Sequence, residues 1–199
     1  MLKRGILVLF IILLMLPGLI VSGCEPEVVE KPVTMTWGVP EEVSAFEGLQ
    51  REPQGVEVEQ PDDNTLQVTW ETGGSYILPI SATSDRELPG VRYQGSGIPG
   101  HLDLEWLDPR QEEWFPIDEV PEERVKAVLE QENDYLTVDF GPPEGADFDE
   151  DMTRFIWFRI TPAEAGQFEF EIFGYQMGEE GPEEARISNI LTLQAEVIE

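Results

Sequence analysis

The chain has 199 residues, 12 of them basic and 41 acidic, for a formal net charge of −29 at neutral pH. So negative a chain repels nucleic-acid phosphates and anionic lipid headgroups, which excludes nucleic-acid binding. An apolar content of 41%, with five Trp and ten Phe, still suffices for a core, and a single cysteine leaves no internal disulfide to brace it.

The chain opens with MLKRGILVLFIILLMLPGLIVSGC. Lys3 and Arg4 give a short basic start, an apolar run follows from Ile6 to Leu16, and Pro17-Gly18 breaks it before Val21-Ser22-Gly23-Cys24. Basic start, apolar middle and small-residue exit are the parts of a secretory signal peptide. The ending resembles the lipobox of bacterial lipoproteins: an aliphatic residue, two small residues, then cysteine. The resemblance implies a diacylglyceryl thioether on Cys24, which then becomes the first residue of the mature protein, anchored in the cell membrane and facing out of the cytoplasm. The alternative is an uncleaved anchor, but the apolar stretch sits at the lower edge of what spans a bilayer. Residues 1–23 are thus read as signal peptide and 24–33 (CEPEVVEKPV) as an acidic tether. Residues 34–199 are read as the folded domain. Without residues 1–23 the chain keeps 10 basic against 41 acidic residues, a charge of −31.

From Val33 onward the apolar stretches are short, often alternate, and end at Gly, Pro, Asn or Asp, which predicts strands. The first is Val33–Val39. Glu42–Leu49 is ambiguous. Gly55–Gln60 puts Val56 and Val58 on one face, Pro61-Asp62-Asp63-Asn64 is turn chemistry, and Thr65–Trp70 points Leu66, Val68 and Trp70 inward, so the two runs read as a hairpin. Tyr76–Thr83 is a strand with Pro79 in it, which predicts an edge or a bulge. Gly90–Gly100 reads as a short strand and an open loop. His101–Leu107 alternates with Leu102, Leu104 and Trp106 inward, and Trp114–Ile117 follows. Pro121–Gln131 fits either a helix or a strand paired with Tyr135–Phe140, and the hairpin is preferred. Gly141–Asp151 reads as a loop. Arg154–Ile160 is apolar on both faces, so it is a central strand covered on both sides or a strand presenting an aromatic surface. Gln167–Tyr175 and Ile187–Ile198 close the chain, the latter with Leu191, Leu193, Ala195 and Val197 inward. Turn signals every 8–12 residues or so in such a chain predict an all-β fold, an antiparallel β-sandwich elaborated with extra hairpins. Two tandem small sandwiches split near residue 100 are the alternative.

Within the second half, Thr161–Phe170 (TPAEAGQFEF) resembles the E–F corner of immunoglobulin-like domains. Gly166 supplies the turn, Phe168 stands where the corner tyrosine would, and Phe170 is the buried residue beyond it. Trp106 on an earlier strand matches the core tryptophan. Phe168 lacks the corner hydroxyl and no cysteines bridge the sheets. The resemblance implies an immunoglobulin-like sandwich used for binding, adhesion or spacing.

Catalytic chemistry finds little footing. His101 is the only histidine and sits beside a Gly-rich stretch without a nucleophile-elbow motif. Paired carboxylates are recognised by spatial separation, and 41 acidic residues make chance pairs abundant. The chain is therefore read as no enzyme, with no catalytic residue and no cofactor. Asp147-Phe148-Asp149-Glu150-Asp151 places oxygens on alternate residues like the start of a calcium loop, but Met152 and Phe158 stand where an EF-hand needs Gly and Glu. Asp147, Asp149 and Asp151 remain weak metal candidates. Phe155 and Trp157 are the candidates for a protein-binding patch, and Trp37, Trp114 and Trp157 for stacking on sugars, although core packing is the commoner fate of each. The expected function is a membrane-anchored envelope lipoprotein with a non-catalytic interaction or adhesion sandwich, its partner an envelope protein or glycan. The alternatives are a carbohydrate-binding or calcium-dependent module, or an accessory subunit of an envelope enzyme or transporter.

Overall fold

The computed structural model of the protein describes residues 31–41, 43, 48–108, 112–120, 128–132 (backbone), 135–178, 181–182 and 185–199. Residues 31–199 form one unit. Cys24 and the rest of 1–30 lie outside the described residues.

Alternation of apolar and polar side chains builds two sheets, because each strand then has one face to bury. The smaller holds β1 (Val33–Trp37), β4 (Tyr76–Ser84), β6 (Leu102–Asp108), β7 (Glu113–Pro116) and β11 (Thr153–Pro162), in the order β7-β6-β11-β4-β1. The larger holds β2 (Glu57–Glu59), β3 (Thr65–Glu71), β5 (Leu88–Pro99), β8 (Val128–Glu132), β9 (Tyr135–Phe140), β10 (Ala146–Phe148), β12 (Gly166–Gln176) and β13 (Arg186–Ile198). Its order is β13-β12-β5-β9-β8, with β3 beside β13, β2 beside β3 and β10 beside β5. Strands from either side of residue 100 pair with one another throughout: β4 with β11, β5 with β12, β3 with β13. The fold is all-β, an immunoglobulin-like sandwich.

One core fills the space between the sheets. Leu78, Ile80, Leu104, Ile156, Phe158 and Ile160 from the smaller sheet meet Leu66, Val68, Trp70, Phe140, Phe170, Ile172, Leu191 and Leu193 from the larger. The Trp70 indole stacks on Tyr76 at 5.4 Å, and Phe140 meets Phe158 edge-on at 5.0 Å, both contacts crossing from sheet to sheet. Trp70 is fully buried, whereas Trp106 is half-buried and packs against the rim of this core. Between the two sheets the fully buried tryptophan is therefore Trp70.

Several readings are corrected. The sandwich is not wholly antiparallel: β1 and β3 both run parallel to β13. Sequence patterns expose hairpins between consecutive strands, while these two pairings join strands more than a hundred residues apart. Pro79 is neither at an edge nor in a bulge, for β4 lies between β1 and β11. Its carbonyl accepts from the Gly38 amide at 2.8 Å, so its nitrogen faces the same side, where β1 has just ended and no ladder bond is lost. The Gly-rich stretch is no open loop but most of β5. Gly97 has φ +79°, and an added Cβ there would lie 3.0 Å from the Glu169 carbonyl oxygen of β12, so glycine lets β5 bulge in its pairing with β9 between Gly95 and Ile98. Within 141–151, Ala146 and Phe148 are buried and form the short strand β10. It reaches β5 because Gly145 packs on Gly90, where a Cβ would lie 2.4 Å from backbone. β8 and β9 pair as a hairpin, while residues 121–127 and the reading of 44–47 lie outside the described residues. The hairpin of β2 and β3 is present, but Val56 and Val58 are exposed rather than buried.

Candidate binding face

The outer sides of the two sheets meet different fates. On the smaller sheet, Trp157 and Leu107 point away from the main core and are buried with Val39 in a second apolar cluster, joined by half-buried Val43, Leu49, Ile77, Trp114 and Phe155. The cover comes from Val39, Val43 and Leu49, with Gln50 beside them. The Trp157 indole donates to the Gln50 carbonyl at 2.7 Å, and the Arg51 guanidinium donates to the carbonyls of Pro40, Glu41 and Val43 at 3.0, 3.1 and 2.5 Å. Arg51 thus ties residues 40, 41 and 43 to residue 51, and Val39, Val43 and Leu49 cover the aromatic strip.

This corrects the expectation of a patch at Phe155 and Trp157: Trp157 is 1% exposed and Phe155 half-buried. A strand apolar on both faces is here a strand covered on both faces. Trp37 is buried too, its indole donating to the Asn64 carbonyl at 3.0 Å. Trp114 is half-buried beneath the Arg159 guanidinium, 4.7 Å above its ring, while Arg159 pairs with Glu105. None of the three is a free stacking platform.

Asp147, Asp149 and Asp151 are exposed and do not converge. Among the described residues no three His, Cys, Asp or Glu side chains are grouped to hold a metal. The Asp147 carboxylate accepts from the Gly90 amide at 3.2 Å and its carbonyl accepts from Arg154. Asp151 has φ 60° and its amide bonds the Ser84 carbonyl. Phe148 between them points into the core. These acids flank a buried aromatic and shape the turn from β10 into β11. His101 is exposed.

The outer face of the larger sheet is different. Outward side chains of β2, β3, β13 and β12 align in two rows across the strands. One row runs Glu57, Thr69, Glu196, Gln167, the other Glu59, Gln67, Gln194, Glu169. They line an open groove of about 590 Å³ with no Lys, Arg or His among its lining residues. Gln67 donates to Gln194 at 2.9 Å and Gln194 to Glu169 at 2.7 Å. In each row a hydroxyl or an amide separates the carboxylates, so no two face each other directly, which relieves repulsion between them. The field of the carboxylates still sums over the groove. At its end Asp62 closes the β2–β3 turn. Its carboxylate accepts from the Asn64 and Thr65 amides, both at 2.8 Å, and these bonds hold its pKa below the usual aspartate range.

Farther along the same face, where β12, β5 and β9 meet, the surface is closed. Arg92 is buried and pairs with Asp139 at 3.0 Å. Asp139 also accepts from the Tyr175 hydroxyl at 2.9 Å. Burial first, then the Asp139 carboxylate, push the Tyr175 phenol up to about 12.

The sequence marks every polar member of the groove as an outward residue of an alternating strand, but not their convergence. That depends on the parallel register of β3 on β13, which brings Gln67 and Gln194 together across 127 residues.

No family model matches the chain and no curated protein matches it. Among solved structures it is similar to a protein that catalyses macrocyclization in alchivemycin A biosynthesis (8% identity over 66% of this chain and 84% of the other, TM-score 0.44). It is also similar to a CARDB domain from Pyrococcus furiosus (11% identity, 72% and 93% covered, TM-score 0.34). A chain of a type I cohesin–dockerin complex from Clostridium thermocellum is a third (12% identity, 66% and 94% covered, TM-score 0.38). Likeness at this level concerns chain architecture alone.

Proposed function

We propose that the protein is an exported lipoprotein that displays a non-catalytic binding module outside the cytoplasm and holds a partner close to the membrane. Cys24 carries the lipid, residues 1–23 are removed, and residues 24–33 act as the tether, of which Val33 already belongs to β1. Each buried CH₂ contributes about 0.8 kcal/mol, and two or more acyl chains give a stable anchor. One observation carries the reading: the only cysteine of the chain closes a run, Val21-Ser22-Gly23-Cys24, that resembles a lipobox, and the folded unit that begins at Lys31 lies a few residues beyond it.

The groove lined by Glu57, Glu59, Glu169 and Glu196 is the favoured contact face, and its charge suits a basic surface on an envelope protein. Opposite charge raises the rate of encounter, and the amides of Gln67, Gln167 and Gln194 offer donors and acceptors for orientation.

The test of anchoring is mass spectrometry of the mature N-terminus from the native membrane. A lipid-modified peptide beginning at Cys24, with release of the Cys24→Ser protein from the membrane fraction, is expected. An unmodified Cys24, or a peptide beginning upstream of it, refutes the anchor.

A further inference from the structure

We propose that β1 is a tension clasp: pulling on the chain before Lys31 loads the bonds of β1 to both sheets at once, so the sandwich resists being drawn apart at its tether. The lipid-anchored reading supplies only the source of the tension.

β1 is hydrogen-bonded to both sheets. On one side Val33 to Trp37 pair antiparallel with Ser84 to Ile80. On the other, Val33 lies opposite Ser188 in parallel, and a side chain then extends the contact. Asn189 Oδ1 accepts from the Met35 amide at 2.7 Å, and Nδ2 donates to the Met35 carbonyl at 2.9 Å. One carboxamide thus satisfies both backbone groups of Met35 as a neighbouring strand would. The same Nδ2 donates to Asn64 Oδ1 at 2.6 Å, which ties the contact to the start of β3.

Both ends of β1 are pinned. At entry the Lys31 ammonium donates to the Arg186 carbonyl at 2.6 Å, and the Pro32 carbonyl accepts from the Asp85 amide at 2.9 Å. At exit the Trp37 indole bonds Asn64 and the Gly38 amide bonds Pro79. Val33, Met35 and Trp37 meanwhile point into the core.

Direction decides how such bonds fail. β1 and β13 run parallel, so a pull on the N-terminal end of β1 against the C-terminal end of β13 slides one strand along the other. The bonds along β1 then share the load. Val33 and Ser84, by contrast, are adjacent ends of an antiparallel pair, and a pull between them opens the ladder one bond at a time. The clasp holds against load carried into β13 and yields to load carried into the turn after β4.

Single-molecule force spectroscopy tests this on the full chain made without lipid. One arrangement holds it by the Cys24 thiol and a tag after Glu199. The other holds a Glu87→Cys variant by its two thiols. A clearly higher rupture force end to end is expected. Asn189→Ala removes three hydrogen bonds, two of them to Met35, and should speed end-to-end unfolding about tenfold. Equal rupture forces in the two arrangements overturn the proposal. So does an end-to-end rate unchanged in folded Asn189→Ala. Failure of the anchoring reading would show in the mature N-terminus and leave these forces as they are.

Discussion

Two outer faces of one sandwich carry opposite chemistry. On the smaller sheet, β11 and β6 present Trp157 and Leu107, and Val39, Val43 and Leu49 cover them. On the larger, β2, β3, β13 and β12 present carboxylates, amides and a hydroxyl around an open groove. An apolar outer face must be covered to escape water, whereas a polar one can stay bare. The covered face belongs to stability, and the bare one stays open to solvent.

Substitutions on the covered face should therefore cost stability and those on the bare face should not. The largest expected effect is Trp157→Ala, which empties the second cluster and frees the Gln50 carbonyl. A loss of about 3–5 kcal/mol in denaturant unfolding is expected. A loss below about 1 kcal/mol would mean that the cover is loosely held.

Next is Arg51→Ala. Its guanidinium gathers three carbonyls of the covering segment, and its loss should lower stability by about 1–2 kcal/mol. Amide exchange should quicken around residues 38–54 while β12 and β13 stay protected. Uniform quickening would contradict a locally held cover.

The closed end of the larger sheet gives a pH effect. The folded Tyr175 phenol is held near 12 against an ordinary 10.0, first by burial and then by Asp139. A raised folded pKa contributes stability that is fully present below 10.0 and lost as pH climbs toward about 12. Thermal melts from pH 9 upward should show a fall that Tyr175→Phe flattens. A fall of unchanged size in Tyr175→Phe would assign it to other groups.

The smallest effect on stability is expected for Gln194→Ala in the groove, within about 0.5 kcal/mol. A larger loss would make the amide row part of the scaffold.

The two faces were not equally legible in the sequence. Thr65–Trp70, Tyr135–Phe140 and Ile187–Ile198 alternate cleanly, and each buries the side that its pattern names. The double-sided run Phe155–Ile160 left two readings open, because nothing local tells a covered aromatic from a displayed one. Long-range contacts settle it: Gln50 and Val39 lie far from Trp157 in sequence and against it in space. The same limit hid the groove. Glu57, Gln67, Glu169 and Gln194 read singly as solvated positions, and only cross-strand register makes them one surface. The aspartates near 147–151 were conspicuous for the opposite reason: they are close in sequence, yet they flank buried Phe148 and do not converge.

The most direct test of the account is photo-cross-linking of the protein in its native membrane from probes at two positions. Gln194 stands in the acidic groove, and exposed Glu113 stands on β7 at the edge of the smaller sheet. Capture of a specific basic envelope protein is expected from Gln194 and not from Glu113, and is lost on Glu196→Lys. Capture from Glu113 alone, or retention on envelope polysaccharide with no protein captured at either position, would contradict it.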